Sequence, residues 1–101
     1  LFIRRSSMLE RIMRRYILKK QVRLKHEKAF DKFYAFCIDT GDHFTLNKTG
    51  FTILNILNEE KSLDEIVKLL SKKMNVNEKT VLTDTVQFLE LSEKNGIIAY
   101  M

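Results

Sequence analysis

The chain has no proline, no tryptophan, one cysteine, two histidines and three glycines among its 101 residues. Without proline-rich or glycine-rich stretches there is no linker composition, no low-complexity tract and no visible repeat, so a single modest core is expected. The lone thiol, Cys37, cannot form an internal disulfide. Its place in the apolar run FYAFCI reads as a buried, reduced side chain. Gly41, Gly50 and Gly96 are isolated, which excludes a glycine-rich phosphate loop and leaves each with a turn or helix role. His26 and His43 have no cysteine pair or carboxylate at metal-ligand spacing, so neither a metal nor a cofactor is expected. No serine has the surroundings of a nucleophile elbow. The doublets Glu59/Glu60 and Asp64/Glu65 fall in a loop and in the first turn of a helix, where they favour the helix dipole rather than acid–base work. No apolar run approaches the roughly 18 residues of a membrane span. Arginines interrupt the N-terminus where the apolar segment of a signal peptide would lie. The expectation is a cytoplasmic protein that is not an enzyme, its natural start open between Leu1 and Met8.

What is present is an uneven distribution of charge. The formal net charge is +5, yet residues 1–32 hold eleven Lys/Arg against three Asp/Glu, while residues 33–101 hold seven against ten. A basic amphipathic arm, residues 1–20, thus precedes a mildly acidic globule, residues 21–101. Ser7 and Glu10 have the spacing of a capping box, and Leu9, Ile12, Met13 and Tyr16 share one face of a helix expected over 8–19. On that helix Arg11, Arg14, Arg15 and Lys19 form a cationic face for phosphates, for an acidic partner surface, or simply for solvent. Packing against a second copy is a further reading of the arm. Because the core pattern begins later, removal of residues 1–19 is expected to leave the globule folded.

Along the globule, QVRLK alternates as a strand with Val22 and Leu24 inward. KFYAFCID reads as a central strand buried on both faces. DTGD supplies a turn in which Gly41 can take positive φ, and HFTL returns as the third strand. In DHFTLNKTGFTIL the strand runs directly into a helix, with Asn47 where the N-cap belongs and Phe51, Leu54 and Leu57 at helical spacing. A second helix begins at SLDE, where Ser62 and Glu65 form another capping box, and carries Leu63, Ile66, Val67, Leu70 and Met74 as an apolar stripe. A third spans about Glu78 to Lys94 and ends at Asn95-Gly96. IIAYM is an apolar tail that packs back on the sheet. The expected fold is α+β and winged-helix-like: a three-stranded antiparallel sheet followed by a three-helix bundle. The third helix carries Asp84, Glu90 and Glu93, so it would repel phosphate, and nucleic acid is not the expected partner despite the arm.

Three stretches in order, IDTGDHFTLNKTGFTILNIL, SLDEIVKLL and DTVQFLELSEKNGII, make residues 21–98 resemble the PqqD-like family. These are the leader-peptide-binding domains called RiPP recognition elements. Leu46-Asn47 with Thr49, Ser62 to Ile66, and Asp84, Phe88, Leu89, Gly96 and Ile97 fall on the positions of the family pattern. The Thr-Gly turn before the third strand is also similar to the stand-alone form of lasso-peptide pathways. Two positions depart from the pattern, Thr85 for valine and Ser92 for an apolar residue. On the third helix Val81, Leu82, Thr85, Phe88, Leu89 and Ser92 share the core arc, and Leu91 lies outside it. The resemblance implies a non-catalytic protein that adds the leader of a ribosomal precursor peptide to its sheet edge along Asp42, His43, Phe44, Thr45 and Leu46. The leader would also touch the third-helix ridge of Asp84, Gln87, Phe88 and Leu91. The implied partners are that precursor and a separate maturation enzyme, such as a radical-SAM enzyme or a leader peptidase.

Overall fold

The computed structural model describes residues 14–100. Alternating side chains in VRLKHE and KFYAFC make the strands β2 (Val22–Glu27) and β3 (Lys32–Cys37). They pair antiparallel from Val22↔Cys37 to Glu27↔Lys32. After a turn in which Gly41 takes φ 79°, β4 (His43–Leu46) pairs on the other side of β3 from Phe36↔His43 to Phe33↔Leu46. The sheet order is β2–β3–β4, which among the described residues leaves β4 with one open edge. Phe33, Ala35 and Cys37 are buried, whereas Tyr34 and Phe36 on the opposite face are only half-buried. The central strand is therefore buried on one face, not on both. The helices cover the inner face only, and the outer face is flanked by Arg23, Lys25 and His43.

Three helices follow: α1 (Lys48–Ile56), α2 (Leu63–Met74) and α3 (Glu78–Lys94). Local chemistry sets each start. Asn47 accepts the Gly50 N–H, Ser62 and Glu65 complete a reciprocal capping box, and Asn77 accepts the Lys79 N–H. At the ends, Asn75 adopts the left-handed conformation after α2, and Gly96, with φ 75°, follows α3. The faces of α1 and α2 that carry Ile53, Leu54, Leu57, Leu63, Ile66 and Leu70 are fully buried and form the centre of the core. From α3 the core takes Val81, Thr85, Leu89 and Ser92, while Leu82 lies at the margin, 36% exposed.

A second sheet departs from the expected plan. β1 (Arg15–Leu18) lies between β5 (Lys61–Ser62) and β6 (Ile98–Tyr100), antiparallel to both. Arg15–Leu18, the end of the helix expected over 8–19, is thus a strand. Tyr16 and Ile17 have side chains suited to a pleated surface, and the groups that pair with them are distant in sequence, out of reach of any local pattern. The part of that expected helix before Arg14, including the Ser7–Glu10 box, lies outside the described residues. With Tyr16 only 5% exposed, the core begins before residue 20, so removing residues 1–19 would take out a middle strand. The apolar tail is β6, and it packs on β1 rather than on the sheet of β2–β4. No helix among the described residues is long and apolar enough to cross a membrane.

Two stability measurements check this packing. Truncating the buried ring in Tyr16→Ala should cost about 3 kcal/mol in denaturant unfolding. The fully buried Thr85 hydroxyl has no hydrogen-bond partner in the core. Replacing it in Thr85→Val removes an unsatisfied oxygen at constant shape and should raise stability by about 1 kcal/mol.

Candidate functional site

The open edge of β4 follows from the ladder. The Cys37 N–H donates to the Asp42 carbonyl, so that pair is hydrogen-bonded and the pairs Phe36↔His43 and Tyr34↔Thr45 are of the other type. The backbone N–H and C=O groups of His43 and Thr45 consequently point away from β3, toward the open edge. Their side chains are exposed on the outer face, while Phe44 and Leu46 turn inward and pack against the core. Asp42 has a different part: its N–H donates to Thr40 Oγ1 and its carboxylate accepts from the same hydroxyl, which fixes the turn that delivers β4.

Immediately after β4 the chain becomes helix without a loop, because Asn47, the residue that follows the strand, is the cap of α1. Its Oδ1 accepts the Gly50 N–H at 2.7 Å. Gly50 is itself buried, and a Cβ built on it would lie 2.7 Å from Phe88 Cε1 and 3.0 Å from Cζ. The missing side chain is what lets α1 approach α3 this closely. Between β4 and α3 lies a depression of about 240 Å³ bordered by Phe44, Thr45, Leu46, Phe88, Leu91 and Ile97. A second, of about 370 Å³, continues along α3 past Thr49 and Gly50 to Asp84 and Gln87. Phe88, Leu91 and Asn47 line both, so the two form one groove alongside the open edge.

The structure brings Asp84, Gln87, Phe88 and Leu91 onto a single wall of this groove, and Phe44, Thr45 and Leu46 onto the facing one. Leu91 is 56% exposed although apolar, and Phe88 is half in the core and half in the groove. Gly50, Thr49, Asn95 and Ile97 also line it. Those four have no distinguishing sequence signal as lining residues, because their roles depend on how close two helices come. The cationic residues expected on an arm are elsewhere. Arg11 lies outside the described residues. The Arg14 guanidinium stands over the Tyr100 ring, 4.1 Å from its centre. Arg15 is hydrogen-bonded to Glu60 and lies 3.3 Å from Glu65, and its pKa is raised chiefly by the Glu60 bond. The carboxyl of Glu65 is held below the usual range chiefly by the Ser62 N–H it accepts, with Arg15 adding to the effect. Lys19 anchors the turn after β1 through its N–H to the Ile97 carbonyl at 3.0 Å.

Chemically, the groove offers backbone donors and acceptors on one side and an apolar wall with an acidic end on the other. No group of three or more His, Cys, Asp or Glu among the described residues could hold a metal ion.

The family model of Coenzyme PQQ synthesis protein D (PqqD) matches residues 32–98. Among solved structures, the chain is similar to TbiB1 in complex with the TbiA(beta) leader peptide, at 26% identity and TM-score 0.67, over 81% of this chain and 93% of that one. It is also similar to the solution structure of the PqqD truncation of Methylobacterium extorquens PqqCD, described as a stand-alone RiPP recognition element. That likeness has 14% identity and TM-score 0.70, over 84% of this chain and 88% of the other, and concerns the fold. No curated protein matches the chain.

The close approach at Gly50 makes its own prediction. In Gly50→Ala the new methyl meets the far edge of a ring that can turn, so the chain should remain cooperatively folded while the ring is pushed into the groove. Ring-proton chemical shifts of Phe88 should move; unchanged shifts would show that the contact does not set the groove's shape.

Proposed function

The chain belongs to the PqqD family, and from that premise we propose that it binds the leader region of a ribosomally made precursor peptide and presents it to a separate modifying enzyme or leader peptidase. The observation that carries this reading is the open edge of β4 running beside an apolar groove on α3. An extended peptide paired along Asp42 to Leu46 takes its main-chain hydrogen bonds from His43 and Thr45. Alternate side chains then enter the groove, and those between them lie over the exposed side chains of the same two residues. A Leu, Phe or Tyr of the leader fits against Phe88 and Leu91, and a polar group further along meets Gln87 or Asp84. Nothing in this arrangement requires bond making or breaking by the chain itself. The similarity to TbiB1, solved with a leader peptide, supports the same reading. In the proposed pathway the chemistry belongs to the enzyme that receives the precursor, a radical-SAM enzyme or a leader peptidase.

A synthetic leader taken from a precursor gene adjacent to this one supplies the test. Leu91→Ala removes an exposed apolar anchor, so affinity should fall roughly thirtyfold, about 2 kcal/mol, with little change in stability. Lost stability with unchanged affinity would place Leu91 in the core and the groove elsewhere. At the edge, Thr45→Pro deletes an outward N–H without touching the ladder to β3, whereas Thr45→Val keeps it. Weak binding is expected of the first variant and near-normal binding of the second. Equal affinities in two folded variants would rule out strand addition at β4.

A further inference from the structure

Beyond the leader groove, α1 has a second face. Asn47, Thr49, Gly50 and Ile53 line the groove, whereas Lys48, Phe51, Thr52 and Asn55 line a separate cavity of about 590 Å³ that opens near the β2–β3 turn. Its floor is aromatic. The His26 ring stacks on Phe33 at 4.3 Å, and Phe33 meets Phe51 at 4.8 Å. Most of its polar lining is already engaged within the chain. Thr52 Oγ1 donates to the Lys48 carbonyl at 2.8 Å, Asn55 Nδ2 donates to the Phe51 carbonyl at 3.0 Å, and His26 Nε2 lies 2.9 Å from Asp31. The chemistry left available is ring surface and two ammonium groups, those of Lys48 and Lys73. Neither has a carboxylate partner among the described residues. Phe30, the residue before the lining Asp31 in the β2–β3 turn, is 75% exposed beside the cavity's end.

An apolar floor, an exposed aromatic tip and two unmatched cations call for an occupant that is apolar and acidic together. We propose that this cavity and the Phe30 tip form a second contact surface, for a protein segment in which Asp or Glu alternates with Leu or Phe, on the enzyme that receives the precursor. This assignment of the partner rests on the leader-binding reading above, because a leader held at the β4 edge leaves the opposite face of α1 open. Two lysines are too few to follow a nucleic-acid backbone, whereas they match the two or three carboxylates of a short segment placed away from Asp31 on the rim. The carboxylates of the segment would meet Lys48 and Lys73 while its apolar side chains cover Phe33, Phe51 and Phe30.

The probe is an acetylated, amidated hexapeptide, Asp-Leu-Glu-Phe-Asp-Leu, titrated into the isotope-labelled full chain and followed by backbone amide shifts. A lysine-for-acid hexapeptide and decathymidylate serve as the comparison ligands. The acidic peptide at about 2 mM should shift His26, Phe33 and Phe51 and leave Thr45 and Leu91 in place. Lys48→Glu combined with Lys73→Glu, and separately Phe30→Ser, should each weaken the response at least about tenfold. All of these side chains are on the surface, and the same variants should keep their leader affinity within about twofold. Loss of leader affinity together with the peptide response would overturn the separation of the two surfaces. Equal shifts with the lysine peptide, an equal or larger response to decathymidylate, or no response to the acidic peptide would each overturn the proposal. Failure of leader binding in the wild-type chain with an intact acidic-peptide response would overturn the leader-binding reading and leave this cavity assigned to acidic segments.

Discussion

At Gly50 the backbone of α1 comes so near α3 that a methyl group would lie 2.7 Å from the Phe88 ring. Much else is arranged around that approach. Asn47 caps the helix through the Gly50 N–H, and the same Asn47 directly follows the edge strand, so the position of β4 is tied to the point where the helices meet. Phe88 is thereby held half in the core and half in the groove, and Leu91, one turn further along α3, extends the wall. A loop between β4 and α1 would free the edge to move relative to α3. With none, a peptide paired on the edge as proposed would meet the apolar wall at a fixed distance, and the ordering cost would be met by the fold before the ligand arrives.

Much of this framework was legible locally. The caps at Asn47 and Ser62, the left-handed turn at Gly41, the bounds of α3 and the exposure of Leu91 depend on residues a few positions apart, and the sequence patterns for them hold in the structure. The second sheet was not legible. Its strands are two to four residues long and come from the start, the middle and the end of the chain, so Tyr16 reads as part of a helical stripe until Ile98–Tyr100 lies beside it. The same limit hides Gly50 and Ile97 as groove residues. A glycine in a helix and an isoleucine before a tail carry no local mark of a contact made elsewhere.

The basic character of the N-terminal region also changes meaning in three dimensions. Arg15 is committed to Glu60 and Glu65 across β1 and β5, and Arg14 to the ring of Tyr100. Arg15 thereby links the second sheet to the start of α2, and Arg14 stays within the sheet. By contrast Lys48 and Lys73, inconspicuous in a chain with eighteen basic residues, line the aromatic-floored cavity without carboxylate partners among the described residues. Composition counts charges, and the fold decides which of them are already used. The two proposed recognition surfaces lie on opposite faces of one short helix, which would suit a protein that holds one partner in front of another.

Amide hydrogen exchange with and without a leader peptide tests the central claim, strand addition at β4, most directly. The N–H groups of His43 and Thr45 face the open edge, and that of Phe44 faces β3. The account predicts that the leader slows exchange at His43 and Thr45 by about tenfold or more and changes Phe44 much less. Protection confined to α3 or to the sheet of β1, with Thr45 exchanging as in the free chain, would contradict it.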